Sequence, residues 1–271
     1  MAQIDKTAVI DPKAELADDV VVGPYCIIGS GVFIGEGCRL VHHVTIMANT
    51  TCGRRNTFFP YCVIGAPAQD LKSTDPNTEL VIGDNNTFRE FVTVHRGTEH
   101  YDGKTTIGSN NYFMAYTHIA HDCVVEDGVI MANGVQIGGH CLIEKGANFG
   151  GLAAVHHFAT VGRFAFVGGL TRVVHDVPPF MVVEGNPANV RCVNTVGLRR
   201  HGFTEQAIEK LRLAHKLLFR TSKPISHALS ELRSRFSNDG NILYLADFLE
   251  RTIAGKRGRA REIMRCHNET I

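Results

Sequence analysis

The sequence predicts a mainly β protein, a parallel β-helix of six-residue repeats followed by a small C-terminal bundle of α-helices. The first observation is that an apolar residue recurs at every sixth position from Ile4 to Val173, over 26 hexads, once two interruptions are allowed. A period of six fits neither a helix of 3.6 residues per turn nor a strand alternation of two, so it describes a repeating unit. The second is that the apolar spacing becomes helical after residue 200.

Each hexad is expected to form one short strand and a corner, and three hexads one triangular coil. The apolar residue that opens the hexad points inward, and a small residue four places later does the same. About nine coils spaced by ~4.8 Å give a column of roughly 42 Å. A hexad period of this kind resembles that of the left-handed β-helix, an exception to the right-handed crossover rule.

The repeat register assigns most of the eight cysteines to the core. Six fall at inward positions and are predicted to be buried free thiols rather than disulfide partners: Cys26, Cys38, Cys52, Cys62, Cys123 and Cys141. Asn56, Asn86 and Asn111 fall at the small inward position and should stack with hydrogen bonds inside the column. With no CxxC pair, signal peptide or membrane-spanning run, the sequence predicts a reduced, cytoplasmic protein.

The domain prediction places the β-helix at residues 1–187 and a helical domain at 195–271. Polar, turn-like segments at 70–81 and 100–106 interrupt the hexads and are predicted to be loops that leave the column on a functional face. The repeats are expected to end at Pro178-Pro179, because proline cannot donate to a strand ladder.

Three amphipathic helices are predicted in the second domain. Thr204 is a good N-cap of the first, Pro224 opens the second, and the third runs from about Ile242 to Ile253. The residues after 255 are expected to be partly disordered. From Thr195 onward the chain carries 15 Lys and Arg against 8 Asp and Glu, which suits either an acidic partner or a solvated basic surface.

Counting hexads in threes gathers histidines on one face of the prism. The hexads that open at Ile64, Val94, Ile119, Ile137, Val155 and Val173 should share it, and they contain six of the 14 histidines: His95, His121, His140, His156, His157 and His175. All six hold corner or outward positions, so they are not expected to be core residues. The first of these hexads leads into Gln69, Asp70 and Lys72.

Three interpretations of these histidines compete. They are surface residues without function, or zinc ligands as in trimeric β-helices resembling gamma-class carbonic anhydrases, or they include a catalytic base. The adjacent pair His121-Asp122 favours the base, since a carboxylate can orient an imidazole and stabilise its protonated form.

Several motifs resemble the UDP-N-acetylglucosamine O-acyltransferases that begin lipid A synthesis. The similarity extends to about Ile253 and is carried by Gln69-Asp70-Leu71-Lys72, Val94-His95-Arg96-Gly97-Thr98, His118-Ile119-Ala120-His121-Asp122-Cys123, Val155-His156, Asp176-Val177-Pro178-Pro179 and Gly197-Leu198-Arg199-Arg200-His201-Gly202-Phe203. IAHDC together with HRGT is the specific part of the signal.

The resemblance implies a role for each matching residue. His121 would be the general base that takes the proton of the glucosamine 3-hydroxyl, Asp122 would orient it, and the backbone N–H of Gly139 would stabilise the oxyanion. Substrate-binding residues would be Gln69, Asp70, Lys72, His95, His118, His140, His156, Gly169, Asn194 and Arg200. No metal and no cofactor is expected, because the (R)-3-hydroxyacyl donor is carried on the phosphopantetheine of acyl carrier protein.

The resemblance also implies the partners. We expect a homotrimer with sites in the clefts between columns, acyl carrier protein as donor and UDP-N-acetylglucosamine as acceptor, and neither nucleic acid nor a membrane. Basic candidates for contact with the acidic carrier protein are Arg199, Arg212, Lys216 and Arg220.

Four positions bear on specificity. Val196 stands where the family often has Glu, His201 where Arg is frequent, and Pro187 where a His can bound the acyl pocket. Gly169 matches members with an acyl groove open to longer chains, so we predict a long 3-hydroxyacyl donor.

Other functions stay open from sequence. They are a zinc hydratase of the same architecture, a related sugar N-acyltransferase and a non-enzymatic scaffold. Because the hexads begin at residue 4, we expect this chain to lack the N-terminal uridine-binding domain of those N-acyltransferases. The acceptor could also be the 3-amino analogue of the sugar, which would give an amide.

Overall fold

A computed structural model describes residues 1–74, 77–221 and 224–255. In these residues 28 short strands precede four helices. The strands are β1 (Gln3–Ile4), β2 (Val9–Ile10), β3 (Glu15–Leu16), β4 (Val21–Val22), β5 (Ile27–Ile28), β6 (Phe33–Ile34), β7 (Arg39–Leu40), β8 (Thr45–Ile46), β9 (Thr50–Cys52), β10 (Thr57–Phe58), β11 (Val63–Ala66), β12 (Glu79–Ile82), β13 (Thr87–Phe88), β14 (Thr93–His95), β15 (Lys104–Ile107), β16 (Tyr112–Phe113), β17 (His118–Ile119), β18 (Val124–Val125), β19 (Ile130–Met131), β20 (Gln136–Ile137), β21 (Leu142–Ile143), β22 (Asn148–Phe149), β23 (Ala154–Val155), β24 (Thr160–Val161), β25 (Phe166–Val167), β26 (Arg172–Val173), β27 (Met181–Glu184) and β28 (Asn189–Val193).

Up to β26, successive strands go to three sheets in turn. The first sheet contains β1, β4 and every third strand to β25, then β27 and β28; the second runs from β2 to β26 and the third from β3 to β24. Each strand pairs in parallel with the third strand after it, as in Val21↔Arg39, one coil later. The protein is mainly β and its column is a left-handed parallel β-helix, as the hexads predict.

The residues that open the hexads fill the column. Phe58, Phe88 and Phe113 are fully buried and stack with ring centroids 4.9 and 5.1 Å apart. The prediction for the cysteines is confirmed, since all six are buried free thiols. Burial of such side chains stabilises the column by about 1.5–3 kcal/mol each.

Three asparagines form a hydrogen-bonded ladder inside the column, as predicted. The side-chain oxygen of Asn56 accepts hydrogen bonds from the backbone N–H (2.8 Å) and side-chain amide (3.0 Å) of Asn86. The Asn86 oxygen accepts from the N–H of Asn111 at 2.9 Å. The side-chain amides of Asn56 and Asn86 also donate to the carbonyls of Gly83 and Gly108, so burying these two groups costs little, and the ladder fixes the vertical register of the coils.

Both loops are shorter than predicted. Strand β12 begins at Glu79 and β15 at Lys104, and the two pair over four residues. Leu80 and Thr105 are fully buried at inward positions. The sequence analysis assigned the first residues of both strands to the loops because most of them are polar: Glu79, Lys104, Thr105 and Thr106.

The column also continues past the paired prolines. Val177 pairs with Val161, β27 extends the first sheet in parallel, and β28 adds an antiparallel strand up to Val193, beyond the predicted boundary at 187. Pro178 and Pro179 follow the last rung of the third sheet, where no later strand pairs, so their missing N–H groups break no ladder.

The helices are α1 (Thr195–Arg200), α2 (Glu205–Phe219), α3 (Ile225–Arg235) and α4 (Gly240–Ile253). The sequence predicted the last three and missed α1. The Thr204 hydroxyl accepts from the N–H of Ala207 at 3.2 Å, so this cap is confirmed. Asp239 caps α4, where its side chain accepts from the N–H groups of Asn241 and Ile242.

The helices pack at the C-terminal end of the column. Their buried apolar residues form one cluster with Phe180 and Met181 from the end of the column. The Tyr244 hydroxyl donates to Glu144 at 2.6 Å and the Thr252 hydroxyl to Asp176 at 3.1 Å, which ties α4 to the coils. The expected disorder at 256–271 lies outside the described residues. Within them, no helix combines the length and apolar character needed to cross a bilayer.

Candidate active site

The histidine face predicted from the hexads is present. The hexads that open at Ile64, Val94, Ile119, Ile137, Val155 and Val173 are successive strands of the second sheet. Since every strand of this sheet turns at the same corner, residues two and three places after each opening residue line one edge of the column. His121-Asp122 and Gly139-His140 occupy these positions in consecutive coils.

His121 and Asp122 contact each other at this corner. The Nδ1 of His121 lies 2.8 Å from Oδ2 of Asp122, and the side chain of His121 is 15% exposed while that of Asp122 is buried. An ionised carboxylate only accepts hydrogen bonds, so Nδ1 carries the proton and Nε2 keeps its lone pair. The predicted base therefore has the tautomer that base catalysis requires.

Thr98 and Thr105 surround Asp122 with hydrogen bonds. Its Oδ1 accepts from the backbone N–H of Thr98 at 2.9 Å, and its Oδ2 accepts from the Thr98 hydroxyl at 2.7 Å. Its own N–H donates to the Thr105 hydroxyl at 2.8 Å. Burial by itself raises the pKa of Asp122, but the hydrogen bonds from His121 and Thr98 outweigh it and hold the pKa below the usual value.

Gly139 lies directly against the imidazole of His121 in the next coil. A Cβ built on Gly139 would meet Cε1 and Nε2 of His121 at 2.7 and 2.8 Å, so only glycine allows this ring position. The ladder does not use the N–H at this corner position, and the first coil has Pro12 there. Among the described residues this N–H has no acceptor. It is therefore available to an oxygen that develops negative charge.

His140 completes the corner beside this pair. Its N–H donates to the carbonyl of His121 at 3.0 Å, and its Nδ1 lies 3.7 Å from Oδ2 of Asp122. Its ring stacks on Phe158 at 4.3 Å, and the Tyr101 ring meets it edge-on at 4.7 Å. These contacts fix the imidazole against the carboxylate.

His95 and His118 form a second pair next to His121. Their ring centroids are 4.8 Å apart, and Nδ1 of His118 lies 2.7 Å from the Thr93 hydroxyl. Burial, with smaller contributions from His118 and His121, lowers the pKa of His95 to about 4. Burial and the charge of His121 also lower the pKa of His118. Both rings are therefore neutral at pH 7.

Two histidines correct the expectation that the whole set lies outside the core. His95 and His140 are only 5% and 8% exposed. They point away from the column interior, but the loop after β14, which carries Thr98 and Tyr101, covers this corner. The hexad register predicts whether a side chain points into or out of the column. It does not predict whether a loop then covers that side chain.

His121, Asp122 and His140 could also hold a metal ion, since one potential ligand atom from each lies within 4.8 Å of the others. The carboxylate of Asp122, however, already accepts from Thr98 and His121 on both oxygens. A metal would have to displace these hydrogen bonds, so the donors present suit a His-Asp pair better than a metal centre.

The loop after β11 carries three predicted substrate-binding residues: Gln69, Asp70 and Lys72. Oδ1 of Asp70 accepts from the N–H of Lys72 at 3.0 Å, and Nε2 of His100 lies 2.7 Å from the carbonyl oxygen of Lys72. Gln69 and the side chain of Lys72 are exposed. His156 lies on the same face beyond Gly139, with its Nδ1 3.2 Å from the carbonyl of His157.

Three predicted site residues lie apart from His121 in the single chain. Gly169 is at a different corner, where an added Cβ would lie 3.3 Å from the carbonyl of Gly151. Asn194 is buried and caps α1, accepting from Gly197 N–H at 3.1 Å and donating to the carbonyl of Phe164 at 2.9 Å. Arg200 is exposed at the end of α1.

Sequence reasoning missed four residues of the site. Thr98, Tyr101, Thr105 and Phe158 contact Asp122 or His140, yet none was predicted there. Thr98 ends the HRGT motif and Phe158 lies one 18-residue coil after His140, so both carried a signal. Tyr101 and Thr105 lie in the predicted interruption at 100–106, where the hexad register gives no signal about the position of a side chain.

A column of hexad coils with a polarised His-Asp pair beside an unused backbone N–H defines a hexapeptide-repeat transferase. The family model for the bacterial transferase hexapeptide matches residues 1–36 and 104–139. The model for domain 2 of UDP-N-acetylglucosamine O-acyltransferase matches residues 176–260.

The relatives narrow this class to one family. The acyl-[acyl-carrier-protein]–UDP-N-acetylglucosamine O-acyltransferase of Thermodesulfovibrio yellowstonii is 45% identical over 96% of this chain and all of its own length. That of Leptothrix cholodnii is 44% identical over the same shares. The solved structure of LpxA from Acinetobacter baumannii has a TM-score of 0.89 and 39% identity, covering 94% of this chain and 98% of its own. The UDP-N-acetylglucosamine acyltransferase of Bacteroides fragilis has a TM-score of 0.91 and 32% identity, covering 94% and 99%. The chain belongs to the family of UDP-N-acetylglucosamine O-acyltransferases.

Proposed function

We propose that this protein transfers an (R)-3-hydroxyacyl chain from acyl carrier protein to the 3-hydroxyl of UDP-N-acetylglucosamine, the first step of lipid A biosynthesis. The observation that carries the proposal is the His121-Asp122 pair, whose free Nε2 lies beside the unused N–H of Gly139. Both family models and the full-length relatives support it.

The reaction uses the chain's own groups at each step. Nε2 of His121 takes the proton of the sugar 3-hydroxyl while the hydroxyl oxygen attacks the thioester carbonyl carbon. The oxyanion of the tetrahedral intermediate accepts a hydrogen bond from Gly139 N–H. The carbon–sulfur bond then breaks, the leaving thiolate takes the proton from His121, and the ester and the free thiol of the carrier protein are released.

Asp122 stabilises the positive charge that His121 gains in the transition state, and the neighbouring histidines do not oppose it. The ionised carboxylate stabilises the imidazolium that His121 becomes. His95 and His118 stay neutral, so they add no opposing positive charge near it. Substrate hydrogen bonds are assigned to His118, His140, His156, Gln69, Asp70 and Lys72.

We propose a homotrimer, with each site completed by a neighbouring copy. Gly169, Asn194 and Arg200 are apart from His121 in one chain, so a second copy would have to bring them to the site. An apolar corner ladder lies at the corner that carries Gly169, with exposed side chains that suit self-association: Tyr61, Phe91, Tyr116, Leu152 and Leu170. Light scattering on the purified protein tests the trimer, and a monomeric mass for active enzyme contradicts it.

The carrier protein is proposed to dock on the helical domain. Lys216 is exposed on α2 and has no acidic partner among the described residues. Arg199, by contrast, pairs with Glu205 at 2.5 Å and Arg212 with Glu209 at 3.1 Å. Arg220 donates to the carbonyl of Arg191 at 2.8 Å. We therefore expect Lys216 to contribute more than its neighbours to steering an acidic partner.

The proposed donor is long, because Gly169 leaves its corner without a side chain. Neighbouring Leu170 is 75% exposed and offers apolar surface to an acyl chain. Preference for a ten-carbon over a fourteen-carbon donor would contradict this assignment. The proposed contacts of Asn194 and Arg200 with the nucleotide are part of the same proposal. Val196, His201 and Pro187 are the positions at which this chain departs from residues frequent in the family.

The compartment and the lack of a cofactor are also proposals. Six cysteines are buried as free thiols in the column, which suits a reducing, cytoplasmic environment. The reaction as written needs no metal, cofactor or nucleic acid. Metal analysis tests this against the zinc-enzyme alternative, which predicts about one zinc per chain and loss of activity on chelation.

One assay tests the proposed function directly. The wild-type enzyme and His121→Ala are compared with UDP-N-acetylglucosamine and its 3-amino analogue, each with a series of acyl carrier protein thioesters. We expect ester formation by the wild type and none detectable from the folded variant. Full activity of the variant would remove His121 from the base role, and acylation of the amino analogue alone would change the acceptor.

A further inference from the structure

The loop after β14 contacts Asp122 on one side and the turn formed by residues 70–74 on the other. We name residues 98–103 the bridging loop and residues 70–74 the substrate turn. We propose that Glu99 of the bridging loop is a positioning residue that holds the substrate turn in place to bind the sugar nucleotide. This inference rests on the proposed function.

Glu99 makes the contacts expected of a clamp. Its Oε2 accepts from the Ser73 hydroxyl at 2.6 Å, and its Oε1 accepts from the backbone N–H of Thr74 at 2.6 Å and the Thr74 hydroxyl at 3.3 Å. Its side chain is only 21% exposed. Short hydrogen bonds to a charged acceptor are about twice as strong as neutral ones.

The bridging loop itself is anchored at the catalytic corner. Thr98 donates twice to Asp122, and its carbonyl accepts from the N–H groups of Tyr101 (3.2 Å) and Gly103 (3.0 Å). Glu79 on β12 adds backbone hydrogen bonds to Gly97 and Gly103 at 3.2 and 2.8 Å. Glu99 therefore projects from a rigid base.

The substrate turn depends on polar contacts. Leu71, its apolar residue, is fully exposed. Asp70 closes the turn on itself by accepting from Lys72 and Ser73 N–H groups at 3.0 Å each. Glu99, with His100 at the Lys72 carbonyl, joins this closed turn to the catalytic corner.

The consequence is a division of effects between binding and chemistry. Because Glu99 touches the turn that carries Asp70 and Lys72 and not His121, its loss should weaken acceptor binding and leave the chemical step nearly unchanged. Because Glu99 and Ser73 are hydrogen-bonded, the effects of substituting them on KM should not be additive in the double variant.

The test compares Glu99→Ala, Glu99→Gln and Ser73→Ala. We expect Glu99→Ala to raise KM for UDP-N-acetylglucosamine about five- to twentyfold with kcat within about twofold, and Glu99→Gln, which keeps an acceptor for Thr74, to restore most of the loss. The double variant should be no worse than Glu99→Ala alone. Glu36→Ala, at an exposed surface ion pair with Arg54, is the matched control and should behave as wild type.

A second readout does not depend on turnover. Trypsin cleavage after Lys72 should be faster in Glu99→Ala than in the wild type or in Glu36→Ala, because the turn loses its clamp. An unchanged KM and unchanged cleavage overturn the inference, as does a loss confined to kcat. If the wild type itself fails to acylate the sugar nucleotide, the proposed function is wrong, while faster cleavage would still support the clamp.

Discussion

The geometry at single residues decides which groups at the corner can react. His121 and Gly139 hold equivalent positions in consecutive coils, so the imidazole covers the α-carbon below it. The hydrogen bond to Asp122 fixes which ring nitrogen carries the proton. The 18-residue separation stacks the two residues, and the missing side chain of Gly139 leaves the space that the ring of His121 occupies.

Gly139→Ala tests this packing. The new Cβ would lie under 3 Å from two ring atoms of His121, so the ring must move from its hydrogen bond with Asp122. A shift of about 1 Å at a catalytic group can cost about 10²-fold in rate. Steady-state kcat measures it, with Gly240→Ala, whose added Cβ would have no neighbour within 4 Å, as the control. Equal activities of the two variants would refute the packing argument.

His95 makes stability depend on pH. Its pKa is about 4 in the folded chain against an ordinary 6.5, so the unfolded chain binds more protons between these values. Stability is therefore complete above about pH 6.5 and falls as the pH drops towards 4, by about 3 kcal/mol per chain. The lowered pKa of His118 acts in the same direction.

Thermal melting from pH 7 to pH 4 measures this effect. His95→Asn should lose less of its melting temperature over that range than the wild type, whereas His175→Asn, exposed on the same face, should follow the wild type. Asp122 acts at lower pH, since its depressed pKa gives stability that is lost only as the carboxylate becomes protonated. Parallel curves for His95→Asn and wild type would contradict the assignment.

At the scale of elements, each strand is too short to be stable alone and depends on the strands above and below it. Most strands span two residues, and their order comes from the stack of opening residues and the asparagine ladder. The two loops leave the column between the coils of Phe58, Phe88 and Phe113, whose buried rings stack on one another. A rigid stretch of column thus supports the bridging loop and substrate turn.

Phe88→Ala tests the contribution of the stack. Phe88 is fully buried between the two other rings, so truncation should leave a cavity and cost about 3–5 kcal/mol. Phe33→Ala, at an outward position where the ring is 42% exposed, should cost much less. Chemical denaturation of both variants measures the difference, and similar losses would show that the stack is not a main source of stability.

At the scale of the whole molecule, the helical domain closes the end of the column. Its apolar cluster includes Phe180 and Met181, and the buried carboxylate of Glu144 accepts from Tyr244 and from the N–H of Arg163. The Arg163 guanidinium also lies 3.5 Å from the centre of the Tyr244 ring. This contact ties α4 to the column, and α2, proposed to dock the carrier protein, packs against α4.

Tyr244→Phe tests this contact between the domains. The substitution keeps the ring but removes the hydroxyl that donates to the buried carboxylate of Glu144. The loss of this hydrogen bond should lower the free energy of unfolding by about 1–3 kcal/mol. Thermal melting measures the loss, and Lys216→Ala, exposed on α2, is the control for an effect of the domain surface alone. An unchanged melting temperature would mean that the apolar cluster holds the domain without the hydrogen bond.

The sequence by itself determined the column, its three faces and the His-Asp corner, because a six-residue period counted in threes fixes which residues stack. It also determined the buried cysteines and the asparagine ladder, since inward positions follow from the same count. Tertiary structure alone decided the burial of His95 and His140, the Thr98 and Thr105 contacts to Asp122, and the Glu99 clamp. Thr98 and Asp122 are 24 residues apart with an interruption between them, so no period relates them. Loops that leave a repeat also leave its register, and the contacts they make depend on how the folded chain brings them back to the column.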